Sequence, residues 1–353
     1  MKSKKWVLCV LSIYAGVLIA IAALTIIVDP FYHYHAPLDG LDYSLENSDD
    51  IYFNDGMIRN FDYDTMVTGT SMTLNFKTEE IDEIFGVNSI RTSFLGEGFQ
   101  VINDGVELAL DVNPELKTVI RSIDSEWFIS GPEWKGRDEY PDYLYDDNPF
   151  NDVKYIYNSR VLWDKTLPTL ASLGKLEQME STYEFGEGKE GKNQVLEVYQ
   201  RQEKNIKVIV PAETRDFFSY LEQNMDQNVL KVVEEHPDVT FYFFLPPYSI
   251  LWWDDLNQNG VDVLQRRIDL EQYAIERMLA YDNVRLFSFF NNFELICDLD
   301  NYVDITHYKG EVNSQILKWM KNGEYELTKE NYMDYIQEIT EFYITYDYDL
   351  IFE

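Results

Sequence analysis

The chain has 353 residues, of which 45% are hydrophobic and 15% aromatic, so it carries enough apolar surface to bury a sizeable core. Acidic residues outnumber basic residues by 63 to 29, and the resulting net charge of −34 repels phosphate backbones. Nucleic acid is therefore excluded as a partner. The chain has only two cysteines, Cys9 and Cys297, which excludes a disulfide framework.

The first predicted element is an apolar N-terminal helix. An uncharged run of 23 residues, Trp6–Val28, follows a stub with three lysines and ends before Pro30. As a helix this run covers roughly 34 Å, slightly more than the ~30 Å hydrocarbon core of a bilayer. The lysines predict a cytoplasmic N-terminus by the positive-inside rule, so residues 1–28 form a single-pass cell-membrane anchor and residues 29–353 are extracytoplasmic. A signal peptide cleaved near residues 20–22 is the alternative, although its apolar region is usually only ~7 to 15 residues long.

Residues 29–353 show the pattern of one α/β domain, a parallel sheet flanked by helices. A polar, turn-rich stretch at 36–55 comes first. The predicted strands are Asp64–Thr70, Ser89–Phe94, Thr118–Asp124, Val239–Leu245 and Val284–Phe289. The predicted helices are Asp104–Asp111, Phe217–Glu235, Asp262–Tyr281 and Lys329–Tyr346. The stretch at about 125–237 is too long for a simple crossover, which predicts a large insertion serving as a lid or a partner surface.

The four histidines differ in what surrounds them. His33 and His35 form an H-x-H pair without a third ligand in the sequence, and His236 ends a predicted helix. We therefore predict packing and capping roles for these three, and no metal or cofactor. His307 follows Asp304 by three residues, which would place the carboxylate beside the imidazole on one helical turn and orient a general base. A purely structural D-x-x-H pair is the alternative.

Ser71 is the candidate nucleophile. It directly follows the first predicted strand, in residues 67–73 with the sequence VTGTSMT, where Gly69 permits a tight turn. Open α/β sheets bind ligands at the carboxyl ends of their strands, and the Ser71 N–H would there stabilise an oxyanion. A simple capping turn is the alternative. Thr73 replaces the second glycine of the α/β-hydrolase motif G-x-S-x-G, and no Gly-Lys-Ser/Thr follows, so that superfamily is disfavoured and a P-loop is excluded.

Three further residues are candidates for substrate binding. Pro247 and Tyr248 follow the fourth predicted strand, at the same edge of the sheet as Ser71. Trp252 lies beside a second tryptophan and two aspartates, and stacked aromatic rings flanked by acids are common where sugars bind. A rigid Pro-Pro turn and buried tryptophans are the structural alternatives.

The serine after the first strand, the glycine after the second and the D-x-x-H before the C-terminal helix together resemble the SGNH (GDSL-like) hydrolase superfamily, whose fold is flavodoxin-like. The similarity spans about residues 29–318. Within the superfamily the chain is similar to the membrane-anchored, extracytoplasmic branch that includes DltD-like and alginate O-acetylation-like proteins. The resemblance implies that Ser71 is the nucleophile, that the amides of Ser71 and Gly96 bind the oxyanion, that His307 is the base and that Asp304 orients it.

One block departs from the superfamily pattern. Residues 122–124 read SID where G-x-N-D usually follows the third strand, so the asparagine oxyanion donor is missing. The insertion is a candidate source of a replacement group.

The resemblance implies acyl-ester chemistry without a cofactor. The expected reaction proceeds through an acyl-Ser71 intermediate and is either ester hydrolysis or O-acyl transfer to a cell-surface polysaccharide or teichoic-acid-like polymer. A membrane-bound O-acyltransferase is the implied protein partner. Two alternatives stay open: a non-catalytic glycan-binding or scaffold subunit, which the missing asparagine favours, and a sensor whose acidic face binds cations or cationic polymers.

Overall fold

The computed structural model describes most of the chain. The described ranges are 2–43, 45–136, 140–146, 148–172, 185–201 and 211–352, with the backbone alone described at 2–3 and 211–216. Two compact units are present, one of Met1–Phe61 with Glu139–Thr182, and one of Asp62–Asp138 with Tyr183–Glu353. The predicted insertion at about 125–237 is thus divided between the two units, and the predicted domain boundaries stay a prediction.

Helices make up much of both units. Within the described ranges the α-helices are, in chain order, α1 Lys2–Val28, α2 Asp50–Asn60, α3 Thr78–Phe85, α4 Phe99–Val112, α5 Val153–Ile156, α6 Leu167–Ser172, α7 Lys192–Val198, α8 Pro211–Asn224, α9 Lys231–Glu235, α10 Ile250–Gln258, α11 Val261–Met278, α12 Phe293–Cys297, α13 Gly310–Asn322 and α14 Tyr332–Thr345. Two π-helical turns, Val161–Thr166 and Met225–Leu230, lead into α6 and α9.

The second unit is built around a six-stranded sheet in the order β2-β1-β3-β4-β5-β6. Its strands are β1 Thr65–Gly69, β2 Ser89–Ser93, β3 Thr118–Ser122, β4 Thr240–Leu245, β5 Val284–Ser288 and β6 Glu326–Leu327. The first five are parallel, and β6 pairs antiparallel with β5. The strand order reverses between β1 and β3, and the crevice beyond the carboxyl ends at such a switch point is where open α/β sheets bind ligands.

The observed strands confirm the predicted α/β fold with its parallel sheet. Each of the five predicted strands overlaps an observed one and begins or ends within two residues of it. These strands can be predicted from the sequence because a parallel sheet covered on both faces needs nearly continuous apolar runs. The strands β1 and β2 are indeed buried along their whole length. The two-residue strand β6 has no such run and was not predicted.

Helix α2 overturns part of the sequence interpretation, which placed a polar, turn-rich stretch at 36–55. The helix begins at Asp50, and its buried face carries Asp50, Asn54 and Asp55. Asp55 is held there by ion pairs with Arg59, at 2.8 Å, and with His33, at 3.0 Å. Its other buried residues include Ile51, Phe53, Met57 and Ile58, but the buried polar side chains interrupt the apolar repeat from which helices are recognised, so the prediction failed there.

Candidate active site

The nucleophile candidate lies on a short turn that caps β1. Gly69 ends the strand, and Ser71–Thr73 form a 3₁₀ turn whose N-cap is Thr70. The Thr70 side chain accepts a hydrogen bond from the Met72 N–H at 3.3 Å, and its carbonyl accepts one from the Thr73 N–H at 3.1 Å. These bonds hold Ser71 at the carboxyl end of β1, beside the switch point of the sheet. The predicted strand-to-turn junction is therefore present, and the hydroxyl of Ser71 is not consumed by capping.

Gly69 is required by close packing as well as by its backbone angle. Its φ is +150°, and a Cβ placed on it would lie 2.0 Å from the Oγ of Ser122 and 2.9 Å from the Cγ2 of Thr73. Gly69 ends β1, Ser122 ends β3, and Thr73 belongs to the turn Ser71–Thr73, which we call the nucleophile turn. Because Gly69 has no side chain, these three segments can pack together.

We expect Gly69→Ala to lower the free energy of unfolding by about 3 kcal/mol or more, because a buried clash adds to backbone strain. Urea denaturation measures this loss. Gly86→Ala is the matched control: its φ is +74° and a Cβ there meets no atom within 4 Å, so only backbone strain of about 1 kcal/mol is added. Equal losses in the two variants would contradict the packing role of Gly69.

The histidine candidate lies in a loop closed by its own backbone. Tyr302 and Tyr308 form an antiparallel bridge, and the Val303 N–H donates to the His307 carbonyl at 2.8 Å. The prediction of a helical turn at Asp304–His307 is wrong, since these residues form a bend that precedes α13. The loop nevertheless brings the two side chains together, because it folds back on itself within four residues.

Asp304 organises this loop with both of its carboxylate oxygens. Oδ1 accepts the backbone N–H groups of Thr306, at 2.9 Å, and His307, at 2.7 Å. Oδ2 lies 2.7 Å from Nδ1 of His307. With Nδ1 donating to the carboxylate, Nε2 of the ring is left as a hydrogen-bond acceptor. The loop thus fixes both the orientation and the tautomer of His307.

Nε2 of His307 lies 2.7 Å from the Oγ of Ser71, although the two residues are 236 positions apart in the chain. The row of Ser71, His307 and Asp304 therefore has the connectivity of a serine-histidine-aspartate triad. The side chains of His307 and Asp304 are 22% and 38% exposed, so the row opens to the outside. The structure brings together the three groups that the sequence analysis selected, and it gives them the geometry that proton transfer requires.

The ionisation of Asp304 suits a partner for a histidine. Burial alone would raise the pKa of its carboxyl, but the hydrogen bonds and charge of His307, together with the backbone N–H of Thr306, outweigh burial and lower it below its ordinary value. A lowered pKa in the folded state contributes stability above the unfolded value of 3.8, and this contribution is lost as the pH falls through the lower folded pKa. The carboxylate therefore stays charged at neutral pH and under mildly acidic conditions.

Two hydrogen bonds tie the histidine side of the site to the nucleophile turn. The Tyr308 hydroxyl and the Asn313 side-chain amide donate to the Met72 carbonyl at 3.2 and 3.1 Å. On its other side the loop is held by Ser249, whose Oγ donates to the Ile305 carbonyl at 2.7 Å. Tyr308, Asn313 and Ser249 are positioning residues that the sequence analysis missed, since no local motif marks them.

The predicted oxyanion donor Gly96 lies in the turn after β2. The Phe94 N–H donates to the Gly69 carbonyl at 2.7 Å, which holds the start of this turn beside the end of β1. Gly96 has a φ of +68°, and a Cβ there would meet no atom within 4 Å, so the position borders open space. Among the described residues, no acceptor faces the backbone N–H of Ser71 or Gly96. Within the described part of the chain both N–H groups are therefore available to donate, and their role at an oxyanion stays a prediction.

A buried carboxylate network occupies the block where the asparagine is missing. The Oγ of Ser122 donates to Asp124 at 2.7 Å and accepts the Thr70 N–H at 3.4 Å. The Tyr248 hydroxyl donates to the other Asp124 oxygen at 3.0 Å. Burial raises the pKa of Asp124 to about 6, against the opposing effect of these hydrogen bonds. Asp124 therefore links Tyr248, which follows β4, through Ser122 at the end of β3 to Thr70, which caps the turn that carries Ser71.

We expect this network to make stability depend on pH in a defined direction. Because the pKa of Asp124 is raised from 3.8 to about 6 on folding, the folded state binds the proton more tightly, and stability falls as the pH rises between these values. The expected difference is on the order of 3 kcal/mol. In Asp124→Asn this contribution of Asp124 to the free energy of unfolding should vanish. Urea denaturation of both proteins at pH 4 and pH 7 measures the difference. Parallel pH profiles would contradict the raised pKa.

The three predicted substrate-binding residues lie in the interior. Tyr248 and Trp252 are 1% and 4% exposed, and Pro247 is buried. The indole N–H of Trp252 donates to Glu126 at 3.0 Å, and the Pro247 carbonyl accepts the Tyr302 hydroxyl at 2.9 Å. The geometry therefore does not favour direct substrate contact by these side chains. Their aromatic character reflects core packing, the structural alternative given above.

Phe185 is a site residue that the sequence analysis did not identify. Its ring meets the His307 ring edge to face, with centroids 5.2 Å apart. Its backbone exchanges two hydrogen bonds of 2.9 Å with the side chain of Asn75, just after the nucleophile turn. Phe185 and Asn75 also line a polar groove of about 380 Å³ whose walls include Lys77, Lys309 and Ser314. Only the general expectation of a lid within residues 125–237 pointed toward this segment.

Comparisons with known proteins add little to this geometry. No protein-family model matches the chain, and no curated protein matches it. A solved structure from Streptococcus pneumonia, described provisionally as a platelet activating factor, is similar with a TM-score of 0.38 and 12% identity, over 79% of this chain and 92% of that one. A TM-score this low supports no inference about the activity of this chain.

Proposed function

We propose that the protein is a serine-dependent acyl-ester enzyme of the SGNH type. The observation that carries this proposal is the row of hydrogen bonds from Ser71 through His307 to Asp304, with distances of 2.7 Å at both steps. The position of the row beyond β1, at the switch point of the sheet, gives further support. A structural D-x-x-H pair would not require a serine from the opposite end of the chain at the free ring nitrogen.

The reaction follows from the positions of these groups. The Oγ of Ser71 attacks the carbonyl carbon of an ester, and its proton passes to Nε2 of His307. The negative charge on the carbonyl oxygen is received by the free N–H groups of Ser71 and Gly96. The intermediate collapses, the leaving alcohol takes the proton from His307, and an acyl group stays on Ser71. Water or an acceptor hydroxyl then gives its proton to His307 and attacks the acyl carbon, and the bond to Ser71 breaks as its oxygen takes that proton back from His307.

We infer that the substrate is a hydroxyl-rich surface polymer, as in the branch of SGNH proteins that the sequence resembles. The groove that begins at Phe185 and Asn75 supports this inference, because its described walls are polar and include both lysines and glutamates. Such walls suit hydrogen bonding to sugars or polyols better than an acyl chain. A membrane-bound O-acyltransferase that delivers the acyl group is part of this proposal.

We propose that α1 stays attached as a membrane anchor. It is long and apolar enough to cross a bilayer, and a signal sequence would meet the same criterion. One contact of its carboxyl half favours the anchor: the Tyr157 hydroxyl donates to the Leu18 carbonyl at 3.4 Å. Cleavage near residues 20–22 would remove Leu18 and leave the Tyr157 hydroxyl without this acceptor.

The test is an assay of the purified full-length protein with an aryl acetate, with and without an oligosaccharide acceptor. Release of the aryl alcohol without acceptor indicates an esterase, and acetylated acceptor indicates a transferase. Turnover that disappears in His307→Ala supports the proposal. Absence of both reactions and of labelling by a serine-directed phosphonate would overturn it and favour the non-catalytic glycan-binding subunit.

A further inference from the structure

The first unit presents an apolar rim beside the anchor helix. The rim consists of Val153, Tyr157 and Trp163, which are 53%, 45% and 65% exposed. Val153 and Tyr157 are four residues apart on and just after α5, so they lie on one face, and Trp163 follows on the π-helical turn. Exposed tyrosine and tryptophan side chains of this kind are enriched at membrane-water interfaces.

The elements that carry the rim pack against a defined part of helix α1. Both α5 and the π-helical turn Val161–Thr166 contact α1. The contacts of Thr25 with Ile156 and of Leu18 with Tyr157 show that this cover reaches inward along the helix as far as Leu18. One face of α1 is therefore occupied by the protein itself over its last ten or so residues.

The part of α1 that precedes Leu18 is too short to cross a bilayer by itself. Residues 6–17 number 12, and at ~1.5 Å per residue they span roughly 18 Å, against a hydrocarbon core of ~30 Å. Tilting the helix shortens the depth that it spans and enlarges the shortfall. If α1 crosses the membrane, the part from Leu18 onward must also lie within it, and the Tyr157 side chain that reaches the Leu18 carbonyl must then meet lipid.

We propose that the rim of Val153, Tyr157 and Trp163 inserts into the outer leaflet of the bilayer, at the boundary between headgroups and acyl chains. This inference rests on the proposal that α1 is an anchor. The neighbouring charges fit such a depth: Lys154 and Asp164 are exposed next to the rim, whereas the buried Lys165 is paired with Asp49 at 2.5 Å. Exposed charges exclude the centre of the bilayer, and alternation with apolar side chains is typical of interfacial segments.

The rim would hold the first unit at a fixed level against the membrane, as a second attachment beside the single helix. A lone transmembrane helix allows the attached unit to rotate and swing, whereas apolar side chains buried in the interface restrain it. Each inserted side chain of this size removes apolar surface from water, which favours insertion.

The test uses single cysteines in the full-length protein, in a Cys9→Ser, Cys297→Ser background. Val153→Cys and Trp163→Cys probe the rim, and Val261→Cys in the second unit is the matched control, since Val261 is also an exposed residue, at 51%. Ile13→Cys, on the exposed part of α1, reports whether the anchor is inserted. Each variant carries an environment-sensitive fluorophore and is reconstituted into vesicles of phosphatidylcholine and phosphatidylglycerol.

Lipids carrying a nitroxide near the headgroup should quench the labels at 153 and 163 and shift their emission to the blue, while the label at 261 responds only to aqueous iodide. The label at 13 should be quenched most by nitroxides deep in the acyl chains. If the labels at 153 and 163 behave like the label at 261 while the label at 13 is lipid-buried, the rim proposal is overturned and the anchor stands. If the label at 13 is also accessible to iodide, both proposals fail.

Discussion

Ser71→Ala is expected to abolish acyl-ester turnover, with a loss in kcat of about 10⁴-fold or more, because no other described group in the row can form the covalent intermediate. Labelling by a serine-directed phosphonate should disappear with it. Thermal unfolding should change little, since the hydroxyl is half-buried and its hydrogen bond to His307 is not part of the core. Turnover of an aryl acetate and labelling of the intact protein measure both effects.

The matched control for this prediction is Ser314→Ala. The Ser314 hydroxyl lines the polar groove and donates to Glu80 at 2.6 Å, but it has no contact with His307. Its removal should leave aryl acetate turnover within a few fold of the wild type. Undiminished labelling of the Ser71→Ala protein would remove the nucleophile assignment, whereas a comparable loss in both variants would indicate a general disturbance of the groove.

The sheet and the three catalytic candidates could be predicted from the sequence for a common reason. Parallel strands buried on both faces require unbroken apolar runs. Those runs end at the carboxyl ends of the strands, which is the edge of the sheet where open α/β folds bind ligands. Ser71 is therefore recognisable from its place directly after a predicted strand, whereas Gly96 was implied only by the resemblance to the SGNH superfamily. Asp304 and His307 were found as a pair because their spacing of three suggested contact, although the local structure turned out to be a closed loop.

The supporting contacts could not be predicted because they join distant segments through single side chains. Tyr308 and Asn313 reach the Met72 carbonyl across more than 230 residues, and nothing near either residue in the sequence records that bond. Tyr248 and Trp252 present a different difficulty, because their sequence pattern fits two roles. Aromatic residues at the end of a strand are equally suited to sugar stacking and to the core, and only their burial decides between the two.

The missing asparagine is the main difference from the superfamily pattern, and the structure gives it a physical context. Within that block the chain has Asp124, a buried acid that accepts hydrogen bonds from Ser122 and Tyr248, and Ser122 in turn accepts the Thr70 N–H next to Ser71. Stabilisation of an oxyanion would then depend on two backbone N–H groups. Removing one oxyanion donor from related chemistries costs about 10²- to 10³-fold in kcat, so the proposed activity should have a modest rate.

Asp304→Asn is expected to lower kcat by about 10⁴-fold at neutral pH while leaving the loop folded. The asparagine Oδ1 can still accept the N–H groups of Thr306 and His307, which preserves the bend. Its Nδ2, however, would donate to Nδ1 of His307 and place the ring proton on Nε2. A protonated Nε2 cannot accept the proton of Ser71, so the defect should appear in kcat rather than in KM, and phosphonate labelling should slow in parallel.

Thr306→Val is the matched control within the same loop. It keeps the backbone N–H that donates to Asp304 and removes a hydroxyl that lies 3.3 Å from Oδ1 of Asp304 and 3.4 Å from Nδ1 of His307; both contacts are long, so activity should fall by less than about tenfold. Activity of Asp304→Asn within tenfold of the wild type would show that the carboxylate does not set the tautomer of His307. Ser71 could then still be the nucleophile, and His307 would owe its orientation to the closed loop, to the Thr306 hydroxyl 3.4 Å from its Nδ1 and to Phe185.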